Sequence, residues 1–221
     1  MTEALNRLSR EERAKPIFAK TNAIVTNDHF VYTNGEHGPD YVNKDAMYPH
    51  TKEIWEACEM FAEAFKDKDV QIVVGPAVGG VILEALTAQH LTRMTGREVC
   101  GVYAEKQADG SFTFGRGYAD FITGKNVLVT EDVLTTGGSA AATIRAVNLL
   151  GGKVVGLAAL ADRREDKTKD VEGVKVDALI KVNLIKYKPD ECKLCELGVP
   201  INTKLGKGKK FLADKQASSN H

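Results

Sequence analysis

The chain has 221 residues, with 30 Lys and Arg against 30 Asp and Glu. This length predicts one folding domain with short additions and is enough to bury a sizeable core. A net charge of zero gives no overall field to hold nucleic acid or an anionic membrane, and 43% hydrophobic residues exclude a disordered or fibrous chain.

The sequence also bears on where the protein works. No apolar run approaches the roughly 18 residues that a membrane-spanning helix requires. Residues 1–13 carry charges throughout, so no secretory signal is expected there. Four cysteines, Cys58, Cys100, Cys192 and Cys195, are too few and too unevenly placed for a disulfide framework. We therefore expect a cytoplasmic protein with reduced thiols.

The first 66 residues predict a helix, a flap and a second helix. Residues 3–15 have the mixed apolar and charged pattern of a short amphipathic helix. Residues 23–42 are rich in β-branched and aromatic side chains around Asn34-Gly35, a dipeptide that favours a tight turn and predicts a hairpin-like flap. Residues 51–66 carry apolar side chains at three- and four-residue spacings, which predicts a helix.

In residues 67–187, short apolar runs alternate with helical segments. The pattern predicts the strands 70–74, 99–104, 126–130 and 154–161, a further edge strand at 176–184, and helices at 80–94 and 138–150. This alternation is typical of an α/β fold with a parallel sheet flanked by helices. Residues 105–117 read as a polar loop.

The remaining residues, 188–221, read as a C-terminal extension with a mobile tail from Lys204 onward. The chain is thus expected to have three segments within one folding domain. They are an N-terminal helix and flap region (1–66), a core (67–187) and the extension (188–221).

Residues 127–139, Val-Leu-Val-Thr-Glu-Asp-Val-Leu-Thr-Thr-Gly-Gly-Ser, carry the most informative chemistry. A buried strand brings Glu131 and Asp132 to its C-terminal end, where ligands bind in open α/β sheets. The hydroxyls and glycines that follow offer backbone amides at a helix N-terminus, which suits a phosphate monoester. Since carboxylates repel phosphate, we expect them to face ribose hydroxyls or a magnesium ion held by those hydroxyls.

A lone Gly-Gly-Ser turn would indicate only a capped helix, but the complete pattern resembles the phosphoribosyl pyrophosphate signature of the type I phosphoribosyltransferases. Residues 75–83, 103–118 and 190–201 are similar to the orotate branch of this family, as is the flap with Phe30 and Asn34-Gly35. The resemblance covers about residues 17 to 203. It implies a type I phosphoribosyltransferase-like core with an N-terminal flap or hood.

The resemblance implies a reaction and its partners. The phosphoribosyl group of 5-phosphoribosyl 1-diphosphate (PRPP) would pass to orotate, giving orotidine 5′-phosphate and diphosphate. Mg²⁺ would be held through the ribose hydroxyls and the diphosphate, with no direct protein ligand. A homodimer is expected, and neither nucleic acid nor membrane is an expected partner.

The resemblance also implies roles for individual residues. The expected catalytic residues are Glu131, Asp132 and Lys106. The residues expected to bind PRPP are Pro76, Ala77, Val78, Gly79, Arg116, Val133, Leu134, Thr135, Thr136, Gly137, Gly138 and Ser139. The residues expected to bind orotate are Tyr41, Lys44, Thr135 and Arg163.

Several of these assignments have structural alternatives. Gly79 stands where long-loop members of the family carry a diphosphate-binding lysine, and the glycines around it could serve only tight packing. Lys106 and Arg116 could be solvated loop charges. Arg163 lies in a charged surface run, and its neighbour Arg164 is an alternative carboxylate partner.

Cys192 and Cys195 have the spacing of half a zinc site, but no second Cys or His pair is evident in the sequence. The histidines, at positions 29, 37, 50, 90 and 221, are scattered. A strand and turn without metal is the favoured interpretation, with a structural zinc ion as the alternative.

Two other functions remain open. One is a phosphoribosyltransferase for another purine or pyrimidine base. The other is a PRPP-sensing regulator that binds DNA, for which the only basic cluster is Lys204, Lys207, Lys209 and Lys210. Salt-dependent binding to nonspecific DNA would distinguish that regulator from an enzyme.

Overall fold

The computed structural model describes residues 8–219, which divide into two compact units. The first unit contains residues 8–17 and Tyr48–Val182, and the second contains Phe18–Met47 and residues 183–219. The flap region and the C-terminal extension, separate segments in the sequence prediction, therefore belong to one unit. None of the helices in residues 8–219 is both long and apolar enough to cross a membrane.

The helices and strands follow the predicted alternation. The α-helices are α1 (Arg10–Lys20), α2 (Thr51–Phe65), α3 (Gly80–Thr95), α4 (Ala119–Ile122), α5 (Gly138–Leu149), α6 (Lys193–Glu196) and α7 (Gly208–Ser219). The strands are β1 (Ile24–Val25), β2 (Phe30–Val31), β3 (His37–Gly38), β4 (Tyr41–Val42), β5 (Ile72–Pro76), β6 (Cys100–Lys106), β7 (Phe112–Thr113), β8 (Asn126–Leu134), β9 (Lys153–Asp162) and β10 (Val176–Lys181). Of the helix expected at residues 3–15, the part before residue 8 lies outside the described residues.

A six-stranded sheet with the order β10-β9-β8-β5-β6-β7 forms the centre of the first unit. All neighbouring strands are parallel except β6 and β7. The central strands read as continuous apolar runs because both faces of a parallel sheet are covered by other elements. Val74, Val129 and Leu157 of the sheet share a buried cluster with Ile144 and Val147 of α5. The predicted α/β fold with a mostly parallel sheet is confirmed.

Strand β8 extends further than its apolar run predicts. It continues through Glu131 and Asp132 to Leu134, because its ladder with β9 persists to the pair formed by Leu134 and Asp162. The two carboxylates therefore lie within a paired strand rather than after its end. Their backbone is held on one side by β9, which restricts where the side chains can point.

The polar loop expected at residues 105–117 contains a short strand. Strand β7 pairs antiparallel with the end of β6, with Lys106 opposite Phe112 and Glu105 opposite Thr113. Phe112 is buried with Ala104, Ala142 and Ala146. A single buried aromatic side chain thus anchors a segment whose composition is otherwise that of a loop.

The second unit contains two short antiparallel pairs, β1 with β4 and β2 with β3. The predicted hairpin around Asn34-Gly35 is confirmed, since Gly35 has a φ of 84° and its amide donates to the carbonyl of Tyr32. The tail predicted to be mobile contains helix α7. Phe211 of this helix packs edge-on against His37, with ring centroids 4.9 Å apart.

Glu84 is a carboxyl buried in the first unit. Its side chain in α3 is 5% exposed, and its Oε2 has no hydrogen-bond partner among the described residues. Burial raises the pKa of Glu84 from 4.5 to about 7. Since the folded state holds the proton more tightly, this group contributes stability that is complete below pH 4.5 and is lost as the pH rises through about 7.

We expect Glu84→Gln to stabilise the protein relative to the wild type, by an amount that grows between about pH 5 and pH 8 and reaches about 1–3 kcal/mol. The measurement is urea unfolding across that pH range, with the exposed Glu98→Gln as the control. A difference between Glu84→Gln and wild type that stays constant with pH would contradict the assignment.

Candidate active site

Parallel pairing brings the carboxyl ends of four strands to one edge of the sheet. These ends are Pro76 of β5, Lys106 of β6, Leu134 of β8 and Asp162 of β9. Ligands of open α/β sheets bind at such an edge. The expected diphosphate loop, loop cation, phosphate turn and base-binding arginine all follow one of these ends. The topology therefore collects the first-unit candidates at one edge.

Glu131 and Asp132 are nearly buried, with 6% and 7% of their surfaces exposed. Asp132 Oδ1 accepts a hydrogen bond from the amide of Val133 at 2.6 Å, and Glu131 Oε1 accepts one from the amide of Asp132 at 3.1 Å. The strand's own amides thus hold one oxygen of each carboxylate. The pair is positioned before any ligand arrives, as a site for ribose hydroxyls requires.

A cavity of about 260 Å³ lies beside Glu131. Glu131, Lys106 and Phe112 line it together with residues 133–139. The turn at its wall leads into α5, where Gly137 has a φ of 83° and Thr136 Oγ1 accepts a hydrogen bond from the amide of Gly138 at 3.3 Å. Because the first amides of a helix have no partner within it, this turn can bind a phosphate.

The expected diphosphate residues are Pro76, which ends β5, and Ala77, Val78 and Gly79 in the loop that follows. The flanking glycines Gly75 and Gly80 pack closely, since a Cβ on Gly80 would lie 2.7 Å from the Cα of Gly75. The packing alternative therefore explains these two glycines. Val78 is 86% exposed, so the middle of the loop remains open to a ligand.

Tyr48 is a site residue that the sequence did not reveal. Its hydroxyl donates to the carbonyl of Gly79 at 2.6 Å and lies 3.4 Å from Asp132 Oδ2. It thereby links the loop after β5 to the carboxylate on β8. Tyr48 precedes α2 in a stretch without a motif, so only its position in the fold shows this role.

The two loop cations differ in their placement. Lys106 is exposed and lines the cavity with Glu131. Arg116 instead forms an ion pair with Glu105, with Nε 3.3 Å from Oε1. The geometry therefore favours Lys106 over Arg116 as the cation that meets an anionic ligand in this conformation.

The two adjacent arginines after β9 also differ in burial and in hydrogen bonding. Arg164 is buried and binds both oxygens of Asp162, at 2.8 and 3.0 Å, and the carbonyl of Lys169. A buried pair of this kind serves the fold, because removing one partner leaves the other charge unpaired. Arg163 is half-buried, and its amide donates to the carbonyl of Leu134, beside the phosphate turn. Arg163 is the better candidate for a ligand carboxylate.

The remaining expected residues, Tyr41 and Lys44, belong to the second unit. The ring of Tyr41 packs against Phe30, with centroids 5.2 Å apart, and Lys44 Nζ lies 3.1 Å from Asp45 Oδ1. Their contact with a base stays a prediction.

Gly137 and Gly138 give a matched test of the phosphate turn. An alanine at Gly137 must adopt a positive φ, with its Cβ 3.4 Å from Val171, whereas Gly138 has ordinary dihedral angles. We expect Gly137→Ala to lower the free energy of unfolding by about 1–2 kcal/mol and Gly138→Ala to change it by less than about 0.5 kcal/mol. Urea unfolding measures both, and equal losses would contradict the proposed turn geometry.

Comparisons with known proteins show the family of the chain. Residues 45–192 match the family model described as a phosphoribosyl transferase domain. An orotate phosphoribosyltransferase of Desulforamulus reducens is 36% identical over 193 residues, covering 87% of this chain and 95% of the relative.

Solved structures show the same fold. An orotate phosphoribosyltransferase of Mycobacterium tuberculosis superposes with a TM-score of 0.59 at 24% identity, covering 78% of this chain and 96% of the other. An adenine phosphoribosyltransferase of Rhodothermus marinus superposes with a TM-score of 0.54 at 25% identity, covering 76% and 99%. With the matched family model and the full-length relative, these similarities place the chain in the phosphoribosyltransferase family.

Proposed function

We propose that this protein transfers the phosphoribosyl group of PRPP to orotate, producing orotidine 5′-phosphate and diphosphate. The observation that carries the proposal is the cavity that Glu131, Lys106 and residues 133–139 line together. It offers the Glu131 carboxylate for the ribose, the Lys106 cation for the leaving group and a helix N-terminus for the 5′-phosphate. The relative from D. reducens, which is named for this reaction, supports it.

The reaction is a displacement at C1 of the ribose by a ring nitrogen of orotate. As the bond to diphosphate lengthens, positive charge develops on the sugar and negative charge on the leaving group. Glu131 and Asp132 orient the ribose hydroxyls and place negative charge near the cationic sugar, while Lys106 stabilises the diphosphate. No covalent nucleophile is required, so the protein contributes positioning and electrostatic stabilisation.

The donors at the site fit magnesium. Glu131 and Asp132 of β8 and the hydroxyls of Thr135, Thr136 and Ser139 give the site oxygen atoms, which suit a ligand that carries magnesium because this ion prefers oxygen. When bound, the ion neutralises diphosphate charge. Glu131 and Asp132 would hold the ion indirectly, through the ribose hydroxyls that they bind.

The first-unit residues that we propose select the base are Arg163 and Thr135. Tyr41 and Lys44 of the second unit stay predicted base-binding residues. A planar guanidinium pairs well with a carboxylate, the group that distinguishes orotate from purines and from uracil. Arg164 is paired with Asp162 and serves the fold, so Arg163 is the arginine that we propose for this contact. The fold alone does not select the base, since an adenine phosphoribosyltransferase shares it. We further propose that the enzyme acts as a homodimer in the cytoplasm.

The direct test of the reaction is the loss of orotate absorbance with PRPP and Mg²⁺, compared with a panel of purines and pyrimidines. We expect orotate alone to be consumed, and Asp132→Asn to lower kcat/KM by about 100-fold or more. The exposed Asp120→Asn is the matched control and should retain activity. Turnover of another base in place of orotate would leave the family assignment unchanged but would show that the proposed substrate is wrong.

A regulator is the competing function from another class. It predicts salt-dependent binding to nonspecific DNA, which the proposed enzyme should lack. DNA binding without turnover of any base would favour the regulator.

Arg163→Ala tests recognition of the base separately. We expect the KM for orotate to rise by about 100-fold, because a charge-assisted pair is lost, while the KM for PRPP changes less than about two-fold. Arg97→Ala, which removes an exposed ion pair with Asp69, is the control and should alter neither constant. Equal increases in both KM values would show that Arg163 does not contact the base.

A further inference from the structure

Four metal-binding side chains from distant parts of the sequence meet within the second unit. His29 precedes β2, His37 lies in β3, and Cys192 and Cys195 lie at the start and within α6. One ligand atom from each residue lies within 4.8 Å of the other three. The Cys-x-x-Cys half-site thus has the second pair of ligands that the sequence did not reveal.

Four of the six separations between the ligand atoms are close to those of a tetrahedral site. His29 Nε2 is 3.0 Å from His37 Nδ1, 3.6 Å from Cys192 Sγ and 3.7 Å from Cys195 Sγ, and Cys195 Sγ is 3.4 Å from His37 Nδ1. Zinc bonds of about 2.0–2.1 Å to nitrogen and 2.3 Å to sulfur imply tetrahedral edges of about 3.3–3.8 Å. Three of these four separations lie within that range, and the two nitrogens are slightly too close. All four ligand atoms lie within 4.8 Å of one another, so small side-chain movements would complete the tetrahedron around an ion.

The surroundings orient the ligands. His29 Nδ1 lies 2.7 Å from the carbonyl of Val199, a contact in which Nδ1–H donates and Nε2 keeps its lone pair for a metal. His29, His37 and Cys192 are at most 1% exposed. Burying two imidazoles and a thiol this closely is costly unless their polar atoms have partners, and a shared cation provides one.

Backbone hydrogen bonds also hold the segments that carry the cluster. The amide of Asn202 donates to the carbonyl of His29 at 2.7 Å, and the amide of His37 donates to the carbonyl of Tyr187 at 2.8 Å. These bonds join His29 and the β2–β3 hairpin to Tyr187 and to the C-terminal extension. An ion there would cross-link the same two segments.

We propose that His29, His37, Cys192 and Cys195 bind one Zn²⁺ ion as a structural Cys₂His₂ site. Thiolates and imidazoles select zinc over magnesium, and a site closed by four protein ligands leaves no open position for substrate. Binding releases the two thiol protons, so the two thiolates balance the charge of the ion. The ion holds the flap hairpin to the C-terminal extension.

The first test is metal content of untagged protein purified with a reductant and dialysed against metal-free buffer. We expect about one zinc per chain in the wild type and a clear loss in Cys195→Ser and His37→Ala. Cys100→Ser, a partly exposed cysteine outside the cluster, is the control and should keep its zinc. Zinc that persists in both cluster variants would overturn the assignment.

A second test needs no variant. Stripped wild-type protein is titrated with Co²⁺, and we expect the intense visible bands of a tetrahedral ion and the ultraviolet bands of thiolate ligation, both displaced by Zn²⁺. Chelation should lower the Tm, and added zinc should restore it. Wild-type protein that contains no zinc, takes up no cobalt and keeps its Tm in chelator would overturn the proposal, as would a Cys192–Cys195 disulfide in the reduced preparation.

Discussion

The placement of β8 between β5 and β9 is the constraint on which the candidate active site depends. Parallel pairing on both sides sends the three strand ends to one edge, so the loop after β5, the turn after β8 and the arginines after β9 become neighbours. The ladder with β9 also continues through Glu131 and Asp132, which fixes the two carboxylates before substrate binds. Preorganised charge of this kind is the main contribution that the proposed reaction requires from the protein.

The two units present different kinds of donor atom to a metal ion. The edge of the sheet presents oxygen donors, which suit magnesium carried by a phosphorylated sugar. The second unit gathers sulfur and nitrogen donors, which suit zinc. The proposed ion would hold strands of two residues in a defined arrangement, since pairs this small are marginal by themselves.

Features of the structure that depend on local sequence patterns were predicted, whereas most features that depend on contacts between distant residues were not. Apolar runs located the sheet strands within a few residues, and residues 127–139 located the phosphate turn. The ladder of β8 past its apolar run, the strand at Phe112 and helix α7 depend on tertiary partners, so local patterns missed them. Rules based on spacing also do not detect contacts between residues that are far apart in sequence. Two such contacts are the hydrogen bond of Tyr48 to Gly79 and the cluster of His29 and His37 with Cys192 and Cys195.

A crystal structure with bound orotidine 5′-phosphate tests the central claim most directly. The account predicts the 5′-phosphate on the amides of residues 135–139, the ribose hydroxyls on Glu131 and Asp132, and the base carboxylate on Arg163. A phosphate bound elsewhere, or a ribose that faces away from both carboxylates, would contradict it.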